Sequence, residues 1–226
     1  AQLTDPRLQP FAIDPHPFRD VDGRWVLFYA RDFLDAEDER GHPVRPGTAL
    51  VVQPLEGMTR LAPGAARTVA RARHDWQRFQ ANRTMYGRVF DWHTLEGPFV
   101  VQRGGRYWCL YSGGRWQSPG YGVDYVVADA VLGPWREAAH DAEPGPRVLR
   151  TVPQHVLGPG HCSVVRGPDG RSDFIAYHAW DARGDHRRLC IDPVHFSAQG
   201  PRSPGPSWTP RPIAARLDDA HASFAP

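Results

Sequence analysis

The sequence predicts an all-β fold, a β-propeller with about three blades present in this chain. Three observations carry that expectation. Three stretches share one hairpin pattern, each hairpin leads into a further apolar strand and a glycine turn, and a titratable side chain stands at the same offset in each copy. Asp14, Glu96 and His161 lie nine residues ahead of Gly23, Gly105 and Gly170, respectively. Four-stranded blades around a channel place the first strand of each copy innermost, so the three side chains would face one axis. A two-sheet sandwich with similar hairpins is the competing architecture, and the parallel flanking sequence in all three copies favours the propeller.

The first copy reads Ile13-Asp14-Pro15-His16-Pro17-Phe18, turns at Asp22-Gly23 and returns as Arg24-Trp25-Val26-Leu27-Phe28-Tyr29. The second reads Glu96-Gly97-Pro98-Phe99-Val100-Val101, turns at Gly104-Gly105 and returns through Tyr107-Trp108-Cys109-Leu110-Tyr111. The third reads His161-Cys162-Ser163-Val164-Val165, turns at Asp169-Gly170 and returns to Tyr177. Asp-Gly and Gly-Gly between apolar runs signal hairpins because the tight turn needs positive φ at its centre. The aromatic and β-branched flanks suit a pleated, half-buried surface. A further strand follows each hairpin, at 48–52, 124–128 and 188–191, and each closes at a glycine turn. Residues 35–47 read as a charged loop. Between 67 and 83, Val69, Ala72, Trp76 and Phe79 fall at spacings that predict a short amphipathic helix. The proline-rich stretch from Pro201 reads as a closing strap over the surface.

Nothing in the 226 residues resembles a linker, which predicts one domain over 1–226. Rings of this kind take roughly four to eight blades. The expectation therefore includes one or two further blades on the N-terminal side, or a partner chain that closes the propeller as an oligomer. A net charge of +2 gives no electrostatic case for nucleic acid or a membrane surface. No long apolar run predicts a membrane-spanning helix, and no signal peptide is legible, which leaves secreted and cytoplasmic placement both open. All 27 basic residues are arginine, so a lysine nucleophile is excluded. Cys109, Cys162 and Cys190 read as small buried residues, not a disulfide framework. The histidines between His155 and His195 match no zinc spacing.

Glu96, between Leu95 and Gly97-Pro98, is placed for burial, which would raise its pKa and let it act as a general acid. The competing reading is a surface glutamate before a turn. Asp14 opens an Asp-Pro step, which a turn acid also does. His161 follows Gly158-Pro159-Gly160 and could orient a carboxylate, hold a water or ligate a metal; a core histidine is the alternative. Two carboxylates across a pocket lined by aromatic residues suit glycoside hydrolysis. Trp92, Trp116, Phe90 and Tyr121 are candidate platforms for sugar rings, set against simple packing between blades. Loops at 86–92 and 115–121 would set the depth of the pocket.

The ordered motifs Ala12-Ile13-Asp14-Pro15, Glu96-Gly97-Pro98-Phe99, Tyr111-Ser112-Gly113-Gly114, Leu132-Gly133-Pro134-Trp135, Gly158-Pro159-Gly160-His161 and Tyr177-His178-Ala179-Trp180 resemble glycoside hydrolase family 43, over residues 11–210. The resemblance implies a five-bladed propeller of the arabinanase, arabinofuranosidase or β-xylosidase type, acting on arabino- or xylo-oligosaccharides with inversion. Inversion implies carboxyl groups roughly 6.5–9.5 Å apart. The resemblance also implies Glu96 as general acid, Asp14 as pKa modulator and Arg187 as a substrate contact. It makes His161 the axial histidine, near a calcium or other ion through water, with no cofactor required for the reaction. The family's general base, on an N-terminal blade, has no counterpart before Asp14. Asp5-Pro6 lacks a following strand and hairpin and is not assigned. The alternatives are a non-catalytic glycan-binding propeller that lost its base and, last, a propeller serving protein interaction.

Overall fold

The computed structural model describes residues 11–138 and 145–210. Asp5-Pro6 and the end of the proline-rich tail lie outside these residues. The chain forms three antiparallel blades. The first contains β1 (Ala12–Arg19), β2 (Trp25–Phe33) and β3 (Gly47–Glu56), with β4 (Arg60–Leu61) and β5 (Arg67–Ala70) both paired to β3. An arm of β6 (Arg78–Met85) leads into β7 (Arg88–Arg103), whose second half is the inner strand of the next blade. That blade continues through β8 (Arg106–Gly113) and β9 (Gly122–Ala128). The third runs β10 (Val156–Arg166), β11 (Asp173–Asp181), β12 (Arg187–Ser197) and β13 (Gly200–Arg202).

The hairpins form where the turn residues require them. Gly104 and Gly105 close the β7–β8 hairpin as a two-residue loop, and both have positive φ, at 59° and 73°. A short parallel ladder, Gly47 to His93 and Thr48 to Thr94, links the first two blades into one hydrogen-bonded sheet. The arm turns at Tyr86-Gly87 and is pinned to the first blade, where the Tyr86 hydroxyl donates to Asp32 Oδ2 at 2.5 Å. Burial pushes the Asp32 carboxyl above its ordinary range.

Two cores lie between the blades. Phe28, Leu50, Leu95, Cys109, Tyr111 and Val126 fill the space between the first and second. Trp108, Leu110, Val123, Tyr125, Ile175 and Tyr177 fill that between the second and third. Successive residues of β8 thus enter opposite cores, as the two-residue period of a strand dictates. This explains why Tyr107-Trp108-Cys109-Leu110-Tyr111 is apolar throughout: both faces of its blade are covered. The far face of the third blade is open among the described residues, with Leu189 77 % exposed and Ile191 also at the surface. The three cysteines are free thiols, and Cys109 and Cys162 are buried.

Two expectations are corrected. Residues 67–83 do not form a helix. They form β5, a 3₁₀ turn at Asp75–Gln77, and β6. Val69 is buried because β5 extends the first blade outward along β3, and strand pairing supplies hydrogen bonds that a helix would have supplied internally. The stretch from Pro201 begins as part of β13, paired to β12, before its loop reaches His155, on which Trp208 stacks at 4.5 Å.

Polar clamps cross the cores at the inner strands and hairpin ends. Arg103 on β7 makes a two-point contact with Asp173 on β11, Nε to Oδ2 at 2.8 Å and Nη2 to Oδ1 at 2.9 Å. The Arg103 guanidinium holds the Asp173 carboxyl below its usual range. The native state therefore binds this proton more weakly than the unfolded chain does. The resulting stability is present above the ordinary aspartate value and is lost as pH falls through the lowered one. Asp173→Asn is expected to cost about 2 kcal/mol at neutral pH, the worth of a charge-assisted hydrogen bond. The gap between parent and variant should close on acidification, as read by urea unfolding at several pH values.

Candidate active site

The inner strands β1, β7 and β10 each carry a bulge at the level of the three predicted side chains. Register shifts fall between Ile13 and His16, between Glu96 and Phe99, and on both sides of Gly160. Asp14, Gly97 and His161 have φ of 57°, 57° and 53°. A left-handed kink thus recurs at or beside each of the three positions, at Asp14 and His161 themselves and at Gly97, one residue past Glu96, and such bulges re-aim side chains at a barrel or propeller rim. Non-glycine residues held there concentrate at functional sites.

The kinks bring Asp14, Glu96 and His161 together. Asp14 Oδ2 accepts the Gly97 amide at 2.9 Å, and Asp14 Oδ1 lies 3.7 Å from His161 Nε2. The His161 amide donates to Ser112 Oγ at 2.7 Å, and Ser112 is the cross-strand partner of Glu96. The Tyr121 hydroxyl donates to Glu96 Oε1 at 2.7 Å. Burial raises the Glu96 pKa; the Tyr121 hydrogen bond opposes that, the Asp14 charge adds to it, and His161 opposes it. A carboxyl so placed keeps its proton to higher pH than an ordinary glutamate, the direction a general acid needs.

Beside this cluster, Trp116 and Trp180 stack at 5.9 Å and 12°, and the Trp180 indole N–H donates to the Trp116 carbonyl at 2.9 Å. The exposed Arg187 guanidinium lies 4.9 Å from the Trp116 ring centre and 5.7 Å from that of Trp180. His178 joins the two groups. It stacks on Tyr121 at 5.8 Å and lies 6.4 Å from His161. Burial, then the Arg187 and His161 charges, push its pKa down to about 4, so it is neutral in ordinary buffers.

Three of the predicted aromatic platforms are corrected. Trp92 is 1 % and Phe90 5 % exposed; they pack edge-to-face at 5.6 Å at the base of the arm. Being two apart on β7, they share the covered face, and neither offers a ring to a sugar. Tyr121 is fully buried, so only its hydroxyl edge reaches the site, through Glu96. Residues 86–92, expected as a loop, are mostly β7. Sequence reasoning missed Ser112 and His178 as members of the cluster. Both stand in the Tyr111-Ser112-Gly113-Gly114 and Tyr177-His178-Ala179-Trp180 motifs, and the alternation on β11 puts His178 and Trp180 on one face. Calcium takes about six to eight oxygen ligands. Among the described residues no three His, Cys, Asp or Glu side chains are grouped to hold an ion.

The model for the family Glycosyl hydrolases family 43 matches residues 2–201. A β-D-galactofuranosidase, xynD, of Aspergillus niger is 36 % identical over 109 residues, which cover 47 % of this chain and 30 % of that protein. An extracellular exo-α-(1→5)-L-arabinofuranosidase of Streptomyces avermitilis is 28 % identical over 125 residues, covering 50 % and 26 %. The crystal structure of a thermostable family-43 glycoside hydrolase superposes with a TM-score of 0.69 at 28 % identity, over 89 % of this chain and 60 % of that one. An α-L-arabinanase of Cellvibrio cellulosa, complexed with arabinohexaose, shares the fold with a TM-score of 0.60 at 21 % identity, over 88 % and 59 %. The matches span 30 % or less of each curated relative's length and about three-fifths of each solved chain. The three blades fit a partial propeller of the five-bladed type.

Proposed function

This chain belongs to glycosyl hydrolases family 43, and from that premise we propose that its three blades carry the acid side of an inverting O-glycosyl hydrolase site. The single observation that carries the reading is the half-buried Glu96 carboxyl, raised in pKa and held by Tyr121 beside Asp14 and His161. In this reading Glu96 protonates the departing oxygen. Asp14, fixed by the Gly97 amide, tunes the acid through its charge. Trp116 and Arg187 supply an aromatic face and hydrogen-bond donors to the sugar. The general base that activates water is assigned to a blade other than these three.

Substrates are arabinose- or xylose-containing plant oligosaccharides. The two curated relatives are both named as furanosidases, which favours an arabinofuranosyl group over a xylosyl one. Aryl α-L-arabinofuranoside, β-D-xyloside and β-D-galactofuranoside should be tested with this chain and with a version extended at its amino end. The extended protein is expected to release phenol fastest from the arabinofuranoside, with an inverted anomeric product by NMR. Oligosaccharide binding without turnover in both proteins would support a glycan-binding propeller instead. Neither binding nor turnover would remove the carbohydrate reading.

A further inference from the structure

Tyr121 is fully buried, and its ring lies on the surface made by Gly160 and His178, a cross-strand pair of β10 and β11. His178 stacks on it at an interplanar angle of 9°. A β-carbon at Gly160 would run into the ring, so only glycine leaves room for it. The ring is thus fixed by the third blade, while its hydroxyl meets an acid of the second.

Two hydrogen bonds flank the acid near that hydroxyl. The His161 amide donates to Ser112 Oγ, so that oxygen is occupied as an acceptor. Ser112 lies beside the Tyr121 hydroxyl, and Tyr121 donates to Glu96 Oε1. Among the described residues Glu96 Oε1 takes the Tyr121 hydrogen bond and no hydrogen bond to Oε2 is formed.

We infer that Tyr121 is a positioning residue for the acid: its hydroxyl occupies Oε1 and reserves Oε2 as the oxygen that carries and delivers the proton. This deepens the reading of Glu96 as general acid and rests on it. In the reaction the proton leaves Oε2 for the glycosidic oxygen, which departs with the electron pair of the broken C–O bond. Water, deprotonated by the base, bonds to the anomeric carbon. The Glu96 carboxylate left behind keeps the Tyr121 hydrogen bond, which is stronger to the charged form.

The groups facing Glu96 are Asp14 from β1, His161 from β10 and Tyr121 from the loop ahead of β9, with His178 stacked on Tyr121 and the Arg187 charge acting on His178. A titration of the ¹³C-glutamate-labelled chain by NMR isolates the Tyr121 contribution. The Glu96 signal is identified by its loss in Glu96→Gln. Tyr121→Phe keeps the ring and deletes the donor. It is expected to raise the Glu96 midpoint by about one pH unit, the equivalent of one charge-assisted hydrogen bond. Ser112→Ala, which leaves the ring in place, should raise it less, and it carries the test if Tyr121→Phe does not fold. An unmoved or lowered midpoint overturns the inference. The titration needs no turnover, so it separates two failures. An unmoved midpoint beside a leaving-group-dependent loss in Glu96→Gln sinks only the role of Tyr121. A raised midpoint without that dependence sinks the acid and leaves the hydrogen bond.

Discussion

Glu96→Gln is expected to cut hydrolysis of glycosides with poor leaving groups by about 10²–10⁴-fold, the range for losing a positioned general acid. Dinitrophenyl glycosides, whose leaving group needs no proton, should lose far less. The comparison is made on the preparation that turns over aryl glycosides, as kcat/KM against leaving-group pKa. A uniform loss across leaving groups would mean that Glu96 binds sugar without donating a proton. The same variant should be more stable than its parent at neutral pH. Burial raises the Glu96 pKa, so the native state binds the proton more tightly than the unfolded chain does. Ionisation then costs stability, which falls as pH rises from the ordinary glutamate value through the raised one. Glutamine has no charge to bury, so activity and stability move in opposite directions, and the stability gain should vanish in acid.

The sequence made the strands legible where both chemistry and period agree. The run Tyr107 to Tyr111 is apolar at every position because β8 faces two cores, and the Gly104-Gly105 turn beside it fixes the hairpin. The grouping of Asp14, Glu96 and His161 was legible through a common offset, although the cause is a bulge and not simple strand alternation. The misread helix at 67–83 shows the limit of spacing. Val69, Ala72, Trp76 and Phe79 fit a helical stripe, yet the first is on a strand, the third in a 3₁₀ turn and the last on another strand. Trp92 and Phe90 read as sugar platforms on a pocket loop, but they stand on β7, and their aromatic character does not say that their face is covered. Tyr121 and His178 meet across blades, and their contact depends on the absence of a side chain at Gly160. No local pattern encodes such a meeting.

Phe28 tests whether the first blade is held to the second as described. It is fully buried, lies edge-on to Trp135 at 5.6 Å and 89°, and has Phe18 and His16 at 6.5 and 6.4 Å. His16 Nε2 accepts the Val100 amide of the second blade at 3.1 Å. Burial lowers the His16 pKa, which keeps the ring neutral and able to accept. Truncation to Phe28→Ala removes apolar area and leaves a cavity, and is expected to cost about 3–5 kcal/mol in urea unfolding. Leu189→Ala, at the open face of the third blade, should change stability by no more than about 0.5 kcal/mol. The Phe28 cavity also lies under the strand that carries Asp14. Amide exchange at Val100 and Gly97, which donate to His16 and Asp14, should therefore quicken together in Phe28→Ala and stay unchanged in Leu189→Ala. Equal costs for the two substitutions, or exchange at Gly97 that ignores the cavity, would show that the core between the blades does not hold Asp14 against the acid.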